Sequence, residues 1–302
     1  AVKAYSDNDS RDLHALCAPD FTGMTSRLSL RRMIRDMQKK LGTPKTIEVL
    51  EVHEVHAPKA ARLQREGQFV RFEMETDLFP GATELYTPAS GHGVLFLATA
   101  RAKENDSLSW FSVMLVPVED EWRIYAFSAG PREAIGKDGH WYIAQADIHE
   151  RAGRVRCAHL YRALAVHLLT FSSSAAPGPE NKLMRSIDPK KMPKNMPYPG
   201  RQPRDSWEIA KGETVVVDWL SYVTFTKERF VEIRYFTEIT DLKSEEAASQ
   251  RRRVFEHARE QFPEYAHGFD GIFVGSVLKN GQAFRDSFLF EDEDDGENGD
   301  KD

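Results

Sequence analysis

Long apolar runs are missing from this chain of 302 residues. A membrane-spanning helix takes ~18 or more consecutive apolar residues. The longest run here, Val94 to Ala98, has the length of a buried strand. No transmembrane segment is therefore expected. Cysteine is scarce too: Cys17 and Cys157 are the only two, on apolar helical patterns in different halves of the chain. A disulfide framework is excluded as the organising principle, and core packing is the expected role of both thiols. Charge of one sign is in excess only locally. The last twelve residues, Glu291 to Asp302, hold eight acids and one Lys, and the remaining body sets 39 acids against 40 bases. Such a tail is expected to be disordered and solvating.

Signatures of chemistry are equally sparse. His53-Glu54-Val55-His56 lacks the four-residue helical spacing that turns two imidazoles toward one zinc ion. On a strand, residues three apart face opposite ways. Ser90-Gly91-His92-Gly93 has neither a nucleophile elbow around it nor the Lys-Ser/Thr of a phosphate loop, and reads as a turn before a strand. His140, His149, His159 and His167 fall in one helical stretch and read as helix-surface histidines. No metal and no cofactor is expected. Arg27, Arg31, Arg32, Arg35, Lys39 and Lys40 make one helix basic, and Arg251-Arg252-Arg253 another. Acids are interspersed (Asp36, Glu245, Glu246, Glu256) and no recognition motif accompanies them. Solvated helix faces are expected, and no nucleic-acid partner.

What is present is an α+β pattern, helices first and strands after. Asp9 or Ser10 can cap a short helix carrying Leu13, Leu16 and Cys17, which Pro19 stops. Ser26 or Ser29 opens a second, with Leu30, Met33, Ile34, Met37 and Leu41 at helical spacing and Gly42 at its end. Strands are expected at Ile47 to His56, Phe69 to Phe79, Val94 to Ala102, Leu108 to Val118 and Trp122 to Ser128. A boundary falls at Gly130-Pro131 through Gly139. Next comes a helical hairpin, about Trp141 to Arg151 and Val155 to Leu169, broken at Gly153. Ser172 to Asp205 holds seven prolines and seven Lys/Arg and reads as a long basic loop. Its charge complements either an acidic partner or the chain's own acidic tail, and salt would screen such a contact. Strands over about Trp207 to Phe225 and Phe230 to Ile239, a helix over Ser244 to Phe262, and a hairpin of Ile272 to Leu278 with Ala283 to Phe290 follow. Asn280-Gly281 predicts a type I′ turn there. The expected modules are residues 1–132, 139–290 (hairpin 141–169, loop 172–205, sheet and helix 207–290) and the tail, 291–302. The second module is expected to join the hairpin to an antiparallel sheet with a packed helix.

Two resemblances stand on particular residues. The opening, Val2, Tyr5, Asp9, Leu13, Leu16, Cys17 and Ala18-Pro19-Asp20-Phe21, together with the terminal strand Trp122-Arg123-Ile124-Tyr125-Ala126-Phe127, resembles the two ends of an NTF2-like (cystatin-like) module. The resemblance implies a helix-first cone over a curved antiparallel sheet. In enzymes of that superfamily the cone holds a cavity, which Tyr5, Phe21, Met24, Trp110, Met114 and Trp122 would line here, with Asp20 the one catalytic candidate, a base; a cone filled by its own Trp, Phe and Met side chains is the favoured expectation. Gly153, Ala158, Tyr161 and Ala165 resemble the second half of a tetratricopeptide repeat. Only one copy is present, where a solenoid needs about three, so a single αα-hairpin packed on its own domain is expected. The NTF2-like cone serves enzymes, carriers and assembly modules alike. The leading expectation is a non-catalytic binding or assembly protein, whose partner is another protein or a small apolar ligand, with a homodimer through the sheet face. The alternatives are an enzyme of the polyketide-cyclase or ketosteroid-isomerase type and a peptide-binding adaptor. The NTF2-like resemblance favours an extracytoplasmic bacterial location, with the cytoplasm as the alternative, and Ala1 already inside a helical pattern fits the removal of a leading segment.

Overall fold

In the computed structural model the described residues are 5, 7–19, 22, 25–56, 70–75, 82–87, 92–104, 107–169, 175–176, 196, 205–225 and 228–290. The basic loop and the acidic tail, with any contact between them, lie outside these residues save for Ala175, Ala176, Met196 and Asp205. The protein is α+β. Its residues divide into two compact units, one comprising 1–139 and 165–186, the other 140–164 and 187–302.

In the first unit, helix α1 is Ser10–Ala15. Asp9 caps it by accepting from the backbone N–H groups of Arg11 and Asp12, two donors that the first turn leaves without partners. Helix α2 is Arg27–Leu41, capped by the Ser26 hydroxyl, which accepts from Ser29 N, and ended at Gly42. Its apolar stripe buries Leu30 and Ile34 completely. Each such burial contributes ~1.5–3 kcal/mol. Arg27, Arg31, Arg32, Arg35, Lys39 and Lys40 occupy the exposed face, as the sequence implies.

The strands are β1 (Pro44–His56), β2 (Val70–Glu75), β3 (Ala82–Thr87), β4 (His92–Ala102), β5 (Leu108–Val118) and β6 (Glu121–Pro131). Strands β1, β4, β5 and β6 form one antiparallel sheet in that order. Its two faces belong to different apolar clusters. Ala98, Ala100, Phe111 and Ile124 pack with Tyr5, Leu13, Leu30 and Ile34 on the helical side. Leu95, Leu97, Trp110, Met114 and Val116 pack on the opposite side. Strand alternation produces the split: successive side chains of β5 point to opposite faces. Strands β7 (Glu133–Ala134) and β8 (Lys137–Asp138) form a short hairpin. Its two central residues, Ile135 and Gly136, both have positive φ, 54° and 65°, as a type I′ turn requires.

Helices α3 (Gly139–Arg151) and α4 (Val155–Leu169) make the expected hairpin. The division between the units falls within α4. Strand β9 (Ala175–Ala176) pairs with β3, which pairs with β2 in a separate small sheet.

In the second unit, strands β10 (Asp205–Ala210), β11 (Glu213–Phe225), β12 (Glu228–Phe236), β13 (Gly271–Val277) and β14 (Ala283–Leu289) form a sheet in sequence order. The pairing is antiparallel except between β12 and β13, which run parallel. The sheet expected to be antiparallel is therefore mixed. The cause is helix α5 (Glu245–Gln261) between those strands: a helical crossover returns the chain in the direction it left. Ser244 caps α5, and Ala247, Val254, Phe255 and Ala258 are buried along it. Phe255 stacks on Phe288 of β14 at 4.9 Å between centroids.

Two local expectations are corrected. The β13–β14 connection is not a type I′ turn, since Gly281 has φ 86° while Asn280 is not in the positive-φ region. Gly281 N donates to Leu278 O and Leu278 N to Gln282 O, giving a three-residue loop with a left-handed glycine at its third position. Arg251 does not share a solvated face with Arg252 and Arg253; it is 1% exposed. Its guanidinium donates to Asp286 Oδ2 at 2.7 Å, Leu242 O at 2.9 Å and Ser276 Oγ at 3.1 Å, and lies over the Phe284 ring. Buried charge is tolerated when it is paired and hydrogen-bonded in this way.

Candidate functional site: an apolar cavity on the helical side of the first sheet

The helical side of the first sheet is incompletely filled. Between it and the opening segment lies a cavity of about 220 Å³. Ile47 and Val49 of β1, Phe96 and Ala98 of β4, Phe111, Val113 and Leu115 of β5, and Ile124 and Phe127 of β6 line it, together with Tyr5 and Leu13. The same-face alternation of β5 places Phe111, Val113 and Leu115 in a row. In β6 the phase changes because a bulge opposite Met114 and Leu115 leaves Tyr125 unpaired, which brings Ile124 and Phe127 onto one face.

The opening segment closes this arrangement. Leu16 O accepts from Ile124 N and Ala18 N donates to Ile124 O, each at 2.8 Å. The chain thus lies parallel to β6 at the Cys17–Ile124 bridge. Cys17 Sγ donates to Leu13 O at 3.2 Å, and burial pushes the thiol up to about 11. Tyr5 packs edge-on against Phe111 and Phe127, at 5.2 and 5.7 Å between centroids. Burial pushes its phenol up to about 12.

Of the residues expected around a cavity, Tyr5 lines it. Trp110 and Met114 sit in the cluster on the other side of the sheet. The cause is parity: β5 is apolar on both faces, so its alternation marks two sets without saying which faces the helices. Trp110 is held there by its indole N–H, which donates to Leu168 O at 2.9 Å, and by the Arg132 guanidinium 4.5 Å from its ring. Trp122 is 48% exposed near the start of β6. Asp20, Phe21 and Met24 lie outside the described residues, as do the side chains of His53 and His56. Sequence reasoning passed over the other ten lining residues, Phe96, Phe111, Val113 and Phe127 among them. Their signal was the phase of alternation relative to the helix stripe of Leu30 and Ile34.

A second concentration of functional groups lies in the second unit. Tyr161 of α4 donates its hydroxyl to Gly268 O at 2.5 Å and accepts from the Arg229 guanidinium at 2.9 Å. Arg229 pairs with Asp270, whose carboxylate also accepts from Arg229 N at 2.6 Å. Tyr142 lies beside Tyr161, with ring centroids 5.6 Å apart. Cys157 donates its thiol to Glu264 O at 3.0 Å, and burial, reinforced by the Glu264 carboxylate, pushes it up to about 12. These groups satisfy one another, as structural polar networks do. His149 and His159, expected on the helix surface, are 4% and 5% exposed.

Among the described residues no cluster of three His, Cys, Asp or Glu is placed to hold a metal ion, and no helix is long and apolar enough to cross a membrane. Compared with protein-family models, curated proteins and solved structures, the chain matches none.

Proposed function

We propose that the first unit is an NTF2-like, non-catalytic binding module whose cavity holds a small apolar molecule. The observation that carries this reading is the chemistry of the lining. Among the described residues, ten of its eleven side chains are purely apolar, and the remaining one is Tyr5. Ligand pockets are characteristically apolar with few polar groups. General acid–base catalysis calls for a positioned proton carrier, and the described lining offers no carboxylate or imidazole. The opposite side of the sheet supports the same choice over assembly through a sheet face. Trp110, Met114 and Val116 are each 4% exposed in the single chain, so that side has little apolar area left to bury.

Native mass spectrometry of the purified chain, before and after mild denaturation, tests the reading. A neutral small molecule released on denaturation is the expected result. Ala98→Phe, which fills the cavity from β4, should abolish the adduct while leaving the second unit folded. A chain that carries no adduct and binds no apolar probe would overturn the proposal, and a stable dimer in its place would favour assembly.

A further inference from the structure

Helix α2 carries six cations, Arg27, Arg31, Arg32, Arg35, Lys39 and Lys40, against one acid, Asp36. Cations stabilise the last turn of a helix and acids the first. Lys39 and Lys40 obey this rule, but the first turn of α2 has no acid and begins with Arg27. Helix α5 of the same chain keeps the rule at both ends, with Glu245 and Glu246 in its first turn and Arg259 in its last. Arg27, Arg31, Arg35 and Lys39 also follow one another at four-residue intervals, and each such pair of like charges destabilises a helix. All are exposed, and among the described residues no ion pair offsets Arg27, Arg31, Arg32, Arg35 or Lys39. A local rule broken with no gain to the fold points to function.

The shape of the cation row narrows the partner. At ~1.5 Å of rise per residue, the four cations form a line of roughly 18 Å with one charge every ~6 Å. Leu28 stands on the same face, one turn before Arg32, because a helix turns about 100° per residue. It is 70% exposed, more than any other large hydrophobic among the described residues. The opposite face is occupied by the core, where Leu30 and Ile34 are buried and Gln38 donates to the Tyr5 carbonyl. What faces outward is a straight, convex ridge of charge with an aliphatic side chain near its start. We propose that this ridge docks the first unit on a membrane surface containing anionic lipids. The cations pair with headgroup phosphates, and Leu28 enters the headgroup layer. Clusters of about four to eight Lys and Arg on an amphipathic helix bind such surfaces, and an apolar side chain beside them adds shallow insertion. Nucleic acid fits the ridge less well. The outward face has no aromatic side chain to stack on bases and no amide to read their edges.

Cosedimentation of the full chain with vesicles tests the docking. The vesicles are phosphatidylcholine alone, or phosphatidylcholine with a quarter of phosphatidylglycerol, at about 0.1 M salt. The chain should pellet with the anionic vesicles only, and detach as salt is raised. Arg31→Gln combined with Arg35→Gln should weaken this binding by about ten-fold or more, at roughly five-fold per cation. Leu28→Ser should weaken it several-fold. Lys211→Gln combined with Lys243→Gln removes the same charge from exposed positions of the second unit and should bind as the wild type does. The Arg31 and Arg35 variant also separates binding from folding: with like-charge repulsion relieved, its urea midpoint should equal or exceed that of the wild type. A lower midpoint would show that the cations serve the fold and would overturn the proposal. Equal binding to both vesicles or to neither, undiminished binding by the Arg31 and Arg35 variant, or an equal loss in the Lys211 and Lys243 control would also overturn it. Tighter binding of the wild type to duplex DNA or to polyglutamate than to the anionic vesicles would reject the membrane in favour of a nucleic acid or an acidic protein.

Discussion

Cys17 lies opposite Ile124 in a parallel bridge, joined through two backbone hydrogen bonds at Ile124. This pairing attaches the opening segment to the outer edge of β6, while the Ile124 side chain lines the cavity. Ile124→Pro removes the N–H that Leu16 O accepts. The expected loss is ~1–3 kcal/mol, from an orphaned carbonyl and a broken edge. Urea unfolding should show a lower midpoint, and an unchanged midpoint would deny the bridge any part in holding the segment.

The two thiols should be inert in the native protein. Cys17 and Cys157 are buried, with their ionisation pushed up to about 11 and about 12. The nucleophile is the thiolate, so at pH 8 neither should react with a disulfide reagent until the chain unfolds. Rapid modification of the folded protein would contradict the burial of both.

Arg251 fastens α5 to β13 through Ser276 and to β14 through Asp286. Arg251→Met should cost ~1.5–3 kcal/mol, because the Ser276 hydroxyl and the Leu242 carbonyl lose a charged donor while Asp286, a third exposed, is rehydrated. Arg251→Lys should recover only part of it, because an ammonium cannot serve the carboxylate, the hydroxyl and the Leu242 carbonyl in the same fork. If both variants melt with the wild type, the buried guanidinium is not holding the helix.

Acid should weaken the second unit through His149. Desolvation depresses its ionisation, and the cations of Arg154, Arg229 and His267 add to that. Its Nδ1 is buried without a partner. A histidine whose folded pKa is lowered binds fewer protons folded than unfolded. Its neutral form therefore favours folding above pH ~6.5, and stability is lost as pH falls below that value toward the depressed one. The urea midpoint of the wild type should fall between pH 7.5 and 5.5, and His149→Phe should flatten the slope. The same slope in both proteins would assign the acid sensitivity to other groups.

Ile135 holds a left-handed backbone conformation at φ 54°, which is unfavourable for a β-branched residue. Ile135→Asn should raise stability by about 1 kcal/mol, since asparagine tolerates this region and suits the first position of a type I′ turn. A lower melting temperature would mean that the packing of the half-buried Ile135 side chain outweighs the backbone strain.

The helices were largely legible because capping and periodicity are local. Asp9, Ser26 and Ser244 cap the helices they begin, and Gly42 and Gly153 fall where helices stop. The α+β order and most strand positions follow from apolar alternation in the same way. Asn280-Gly281 shows where local chemistry falls short: its dipeptide permits two turns, and the register of β13 against β14 selected the three-residue loop. Arg251 shows the same limit for charge. Its neighbours in the arginine triplet are solvated or surface-paired, and only the arrival of Ser276 and Asp286 makes its burial affordable.

Composition, local pattern and spacing thus determined the helices with their caps, the α+β class and the lack of an apolar span. The tertiary structure decided which face of β5 meets the helices, and so placed Phe111, rather than Trp110, at the cavity. It also decided the parallel β12–β13 pairing and the isolation of the Tyr5 hydroxyl. The physical reason is that a strand apolar on both faces carries no local preference between them. That preference arises only when helices, bulges and distant strands compete for the same surface, and a cavity is what their packing leaves unfilled.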